Sequence, residues 1–117
     1  MNTVLLFAIG ILMGSIGAIC MKRGANDLPD FEVTLAYAYT FIGNPYIMSG
    51  FLLYAIPAVI WAYLLSLYPV SFVQPILSMT YVLTPVLAMF FLSEPVPAIR
   101  WLGIAVIVLG VVLVSRS

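Results

Sequence analysis

VTLAYAYTFIGNPYIMSGFLLYAIPAVIWAYLLSLYPVSFVQPILSMTYVLTPVLAMFFLS, residues 33–93, contains no charged side chain. A helix crosses the hydrocarbon core of a bilayer in about 20 residues, so this run is too long for one crossing and enough for two with a piece left over. Asparagine and proline divide it. Asn44 before Pro45 reads as an N-cap followed by proline at the first helical position, where the missing N–H costs nothing, and predicts a helix from Pro45 to about Leu67. Pro69 repeats the device, and a third span should run from there to about Leu92. The segment from Phe31 to Ile42 carries Tyr37, Tyr39 and Phe41 beside a charged loop. It suits a short helix at headgroup level, or an extension of the second span.

The flanks complete the count. From Val4 to Met21 no residue is charged, and a helix of that length reaches about 27 Å, close to the hydrocarbon thickness. Lys22 and Arg23 are expected to stop it, before the polar turn cluster Asn26, Asp27, Pro29 and Asp30. A last span begins around Pro95 or Pro97 and ends near Ser115, with Glu94 near its start, where a carboxylate complements the positive end of the helix dipole. The expected fold is an all-α membrane protein, one domain of four transmembrane helices over residues 1–117, with a possible short interfacial helix between the first and second.

Composition agrees. With 65% hydrophobic and 7% charged residues, the chain cannot cover a water-soluble globule with polar surface. Four basic and four acidic side chains with no histidine give zero net charge and no basic face for nucleic acid. A single cysteine, Cys20, closes no internal disulfide and points to apolar packing, and neither a metal site nor a cofactor is expected. No basic region precedes the first apolar stretch, and Ile19-Cys20 is a poor cleavage site, which argues against a signal peptide. Lys22, Arg23 and Arg100 fall on one side of the membrane and Arg116 on the other. The positive-inside rule therefore favours both termini outside, with a bias small enough to permit mixed insertion.

Within the spans, the polar and small residues are the candidates for function. Gly10 and Gly14 on the first helix, continued by Gly17 and Ala18, either let another helix approach closely or open space for a substrate near mid-membrane, with Ser15 beside them offering a hydroxyl. Gln74, Ser78 and Tyr81 recur at helical spacing on the third helix. Hydrocarbon offers their polar atoms no partner, so they should face protein or a wet cavity. Pro57, Pro75 and Pro85 each free a carbonyl four residues earlier; such breaks border binding sites or are structural kinks. Tyr54, Trp61 and Tyr68 fall seven apart on the second helix. Trp61 is the best candidate of these for substrate contact, and Tyr68 suits an interface anchor. Lys22 and Arg23 suit lipid phosphate or plain snorkelling. Gly103 and Gly110, seven apart in a bulky run, make a self-association seam or a snug contact within the chain.

These features in this order resemble the small multidrug resistance branch of the drug/metabolite transporter superfamily. Ile11-Leu12, Ile16-Gly17 and Met21-Lys22 look like its first helix, Tyr68-Pro69 like the entry to its third, and Glu94, Trp101, Gly103 and Gly110 like the superfamily's closing pattern. One departure stands out: the drug exporters of this branch carry a proton-coupling carboxylate in the first helix, and that position falls here on Gly14, with no carboxylate elsewhere in the spans. Pro75-x-Leu77-Ser78, Glu94-Pro95-Val96 and Arg100-Trp101-x-Gly103 are closer to the four-helix flippase subunits that move aminoarabinose attached to undecaprenyl phosphate, which also lack that acid.

What the resemblance implies is a flippase for a polyprenyl-phosphate-linked sugar or related amphipathic lipid, in the cytoplasmic membrane of a prokaryote. In that scheme Gln74, Ser78, Tyr81 and Trp61 would contact the head group, and Lys22 and Arg23 the phosphate. A homodimer, or a heterodimer with a related subunit, is expected because four helices enclose little space. The competing readings are a small drug or metabolite exporter with different coupling and a structural membrane subunit that transports nothing. No nucleophile, base and orienting group form a catalytic constellation, so an enzyme is not expected.

Overall fold

The computed structural model describes residues 2–117 and is helical throughout, with no strand among the described residues. Its helices are α1 (Thr3–Ala25), α2 (Leu35–Ile42), α3 (Pro45–Leu67), α4 (Val70–Leu77), α5 (Thr80–Phe91) and α6 (Ala98–Ser115). Four spans are long and apolar enough to cross a membrane: α1, α3, the α4–α5 pair over Val70–Phe91, and α6. The chain is an integral membrane protein.

Local chemistry sets the ends. Asn2 caps α1 by accepting the Val4 N–H at 2.9 Å. The helix then runs a turn beyond its expected end, through Lys22 and Arg23, because cations in a last turn complement the C-terminal dipole rather than stop the helix. Asn44 serves two helices at once. Its Oδ1 accepts the N–H groups of Tyr46 and Ile47 at 3.0 and 3.3 Å to start α3, and its Nδ2 donates to the Gly24 carbonyl at 2.9 Å, at the end of α1. Ser93 closes α5 in the left-handed region (φ 54°), and the Glu94 N–H reaches back to the Ala88 carbonyl at 3.3 Å. Glu94 thus belongs to the end of α5, four residues ahead of Ala98, rather than to the first turn of α6.

The third span, expected as one helix, is two. Pro75 has no N–H for the Ser71 carbonyl. The chain then tightens: the N–H groups of Met79, Tyr81 and Val82 bond to Ile76, Ser78 and Met79, three residues back. Ser78 donates its hydroxyl to the Pro75 carbonyl, which also accepts the Ser78 N–H, and Thr80 donates its hydroxyl to the Leu77 carbonyl at 3.1 Å, so side chains add hydrogen bonds to the backbone at the break.

α1 is the central helix, packed on α3 and on α5. It is the most buried of the four spans, whereas α6, the least buried, packs on α4 and α5 at the periphery. The α1–α3 seam is a backbone-to-backbone approach. A Cβ on Gly24 would lie 2.6 Å from Ile47 Cγ1 and 2.8 Å from Ile47 N, and one on Gly50 would lie 2.7 Å from Met21 Cγ. At the other membrane face Leu6, Leu64 and Val73 form a small core with Phe7 and Tyr68 packed against it, and the Tyr68 hydroxyl donates to Thr3 Oγ1 at 3.3 Å. Tyr68 therefore leaves the Tyr54–Trp61 stripe, since α3 ends at Leu67.

α2 is the expected interfacial helix. Thr34 caps it by accepting the Tyr37 N–H. Aromatic contacts run from Phe31 to Tyr37, Phe41 and Phe51, fastening this exposed helix to α3. With four crossings, Lys22, Arg23, Arg100 and all four carboxylates share one membrane side, and Thr3, Tyr68 and Ser115 share the other.

Candidate functional site

A glycine, a proline and a helix break meet at one depth. Gly14 is the middle residue of α1, Pro57 sits one residue past the middle of α3, and the α4–α5 break falls near the middle of the third span. Between them lies a cavity of about 330 Å³. Gly10 and Gly14 form its α1 wall, Tyr54, Pro57 and Trp61 its α3 wall, and Gln74 and Thr80 its wall on either side of the break.

Gly10 borders the cavity without a tight contact: a Cβ there would lie 3.7 Å from Leu77 Cδ2 and 4.0 Å from Ile60 Cγ2, ordinary van der Waals distances. Gly14 faces the Thr80 methyl, 3.4 Å from its Cβ position. Tight helix approach falls instead at Gly17, Gly24 and Gly50. Trp61 and Tyr54 are 39% and 41% exposed, and Gln74 is exposed on the cavity wall. An amide facing hydrocarbon has no hydrogen-bond partner and is costly, whereas one facing a polar occupant is not. Asp27, Asp30, Glu32 and Glu94 all lie in loops, so the cavity wall carries no charge. Among the described residues no group of His, Cys, Asp and Glu could hold a metal ion.

Of the residues singled out from sequence, Trp61, Gln74, Gly10 and Gly14 come together here. Ser78 does not line the cavity; its hydroxyl is turned to Pro75. Tyr81, 65% exposed, is also outside the lining. Ser15 is fully buried, with a hydroxyl oxygen that has no partner, and belongs to the packing beside Gly14. Lys22 and Arg23 stand at the end of α1; Arg23 is about 14 Å beyond Gly14 along the axis. Gly103 and Gly110 face away, with nothing within 4 Å of either Cβ position. Sequence reasoning ranked Trp61 above Tyr54 and left out Thr80. Its spacing of seven from Trp61 marked Tyr54, whereas nothing marks Thr80, whose direction depends on the break.

The profile of the EamA-like transporter family matches residues 38–116. Over 111 residues the chain is 34% identical to the probable 4-amino-4-deoxy-L-arabinose-phosphoundecaprenol flippase subunit ArnE of Pectobacterium atrosepticum, covering 95% of this chain and 96% of that protein. Proteins of the same description from Yersinia pseudotuberculosis and Proteus mirabilis are 31% and 28% identical. These matches cover 98% and 96% of this chain, and 97% and 96% of the relatives. No solved structure matches.

Proposed function

Because the chain belongs to the EamA-like transporter family, we propose that it is a flippase subunit that passes the sugar head of a polyprenyl-phosphate-linked substrate through the mid-membrane cavity. The observation that carries this reading is an uncharged cavity, walled by Trp61, Tyr54 and Gln74, at the depth of Gly14, Pro57 and the α4–α5 break. An isoprenoid tail can remain in lipid while only the polar head crosses, so a groove of this size suffices. The indole and phenol present flat faces and single polar atoms to a sugar, and the Gln74 amide offers both a donor and an acceptor. Lys22, in the last turn of α1, draws the phosphate to the membrane surface. Ser78 acts by holding the break open, and Tyr81 meets lipid or a neighbouring subunit. The second subunit, identical or related, docks on the α6 face at Gly103 and Gly110, and the assembly works in the cytoplasmic membrane of a bacterium.

The test is translocation of undecaprenyl-phosphate-linked aminosugar in proteoliposomes that contain every subunit the native assembly requires. Trp61→Ala with Gln74→Leu should slow flipping by tenfold or more, about 1.4 kcal/mol of barrier, with insertion and unfolding midpoint unchanged. Full activity in the double variant, or a loss that only tracks loss of folded protein, refutes the assignment.

A further inference from the structure

A second concavity lies on the other side of α1. Leu12, Ile16 and Ile19 face Leu87 and Phe91 of α5 across a groove of about 430 Å³, with Arg23 and Tyr46 at its end. At 1.5 Å per residue, Leu12 to Arg23 measures about 16 Å, the depth of one leaflet's hydrocarbon. Leu12 lies two residues from the midpoint of α1, and Arg23 lies in the helix's last turn. The groove thus starts near the bilayer centre and ends at the headgroups on the side of Lys22 and Arg100. The Arg23 guanidinium sits 5.1 Å from the centroid of the Tyr46 ring. An aromatic face holds this cation, which leaves its in-plane N–H donors for a phosphate, the anion whose geometry the fork matches.

We propose that this groove holds one anionic phospholipid of the surrounding leaflet, an acyl chain along Leu12, Ile16 and Ile19 and its phosphate on Arg23. Apolar walls alone would accept any chain, and the cation at headgroup depth selects the charge. The transport cavity opens on the opposite face of α1, beyond the Gly14–Thr80 contact, so a lipid here leaves the cavity free. The assignment is independent of which substrate is moved.

The purified chain, in mixed micelles of detergent and phosphatidylcholine, is titrated with phosphatidylglycerol and read by native mass spectrometry. One phosphatidylglycerol should be retained in preference to phosphatidylcholine. Arg23→Gln should weaken it about fivefold. Ile16→Trp, at a 39% exposed position, fills the groove and should remove bound lipid of either headgroup. Arg100→Gln, exposed on the same membrane side, should leave retention unchanged. Equal losses from Arg23→Gln and Arg100→Gln would mean diffuse charge attraction and overturn the site. Two further results overturn the phospholipid assignment: no retained lipid together with loss of cross-linked dimer in Ile16→Trp, which gives the groove to a second copy, or displacement of phosphatidylglycerol by equimolar undecaprenyl phosphate, which gives it to the substrate.

Discussion

Gly17 and Gly24 on α1 lie seven residues apart, and so do Gly103 and Gly110 on α6, yet the first pair is closed and the second open. Cβ atoms on Gly17 would lie 3.2 Å from Leu53 Cβ and 3.3 Å from the Gly50 carbonyl oxygen, and on Gly24 within 3 Å of Ile47 and Asn44; on Gly103 and Gly110 they would meet nothing within 4 Å. Spacing alone does not distinguish the pairs. In a bilayer, lipid tails are as apolar as the helices, so close backbone contact rather than the hydrophobic effect decides which helices adhere. α1 and α3 meet that condition through glycines on both helices and through Asn44, which ties their ends together. On α6 each glycine carries a helix-propensity penalty of about 1 kcal/mol relative to alanine with no contact inside the chain to offset it. A contact with a second subunit would supply that offset.

The comparison breaks first at its closed end. Gly24→Ala should cost about 1–3 kcal/mol or more, because the new carbon meets backbone nitrogen and a capping side chain that cannot swing away. Gly103→Ala in the monomeric chain should be neutral or stabilising by up to about 1 kcal/mol. Reversible unfolding in detergent at a concentration where the chain is monomeric measures both. Similar midpoints for the two variants would erase the distinction.

At the open end, Gly103→Leu with Gly110→Leu should leave the unfolding midpoint of the monomer unchanged or raised, since neither Cβ position meets another atom of the chain and leucine relieves the glycine penalty. The same pair should lower the cross-linked dimer population in membranes about tenfold, equivalent to about 1.4 kcal/mol of association. An unchanged dimer population would place the subunit contact on another face.

Much of this is legible in the sequence. Charge-free runs gave four spans, Asn44-Pro45 gave the start of α3, and the tyrosines after Phe31 gave α2, because bilayer thickness and capping are local constraints. Trp61 and Gln74 were legible as polar or amphipathic groups without a partner in lipid. The small-residue surface of α1 was legible, with two outcomes left open, but where it is tightest was not: Gly17 meets α3 closely, Gly10 and Gly14 make looser contacts beside the cavity, and Gly24 and Gly50 escaped notice because tightness depends on which residue faces them. Ser78 and Thr80 show the same limit. The proline rule located the disruption but not that Ser78 would turn back to Pro75 while Thr80 would face Gly14.

Gly14 belongs to neither pair, and it sharpens the comparison with the smallest effect of all. It is buried, with the Thr80 methyl 3.4 Å from its Cβ position on one side and the cavity on the other, at the middle of the membrane. A carboxylate at this depth would have its pKa raised by desolvation, which is how such a site exchanges protons near neutral pH. Glycine supplies no titrating group, and the four carboxylates of the chain all lie on one membrane side, outside the spans. A proton entering from the other side therefore has no side-chain carrier at the cavity. Flipping measured in proteoliposomes with and without an imposed pH gradient, at fixed substrate on both sides, should differ by less than about twofold, well under 1 kcal/mol. Gly14→Glu aims its carboxylate into the cavity at the expense of the Thr80 contact, and should introduce a pH dependence that the unmodified protein lacks. Substrate accumulation that follows the gradient stoichiometrically in the unmodified protein would show that protons reach the cavity through water, the substrate's own amine or the second subunit, and that an uncharged α1 midpoint does not decide coupling.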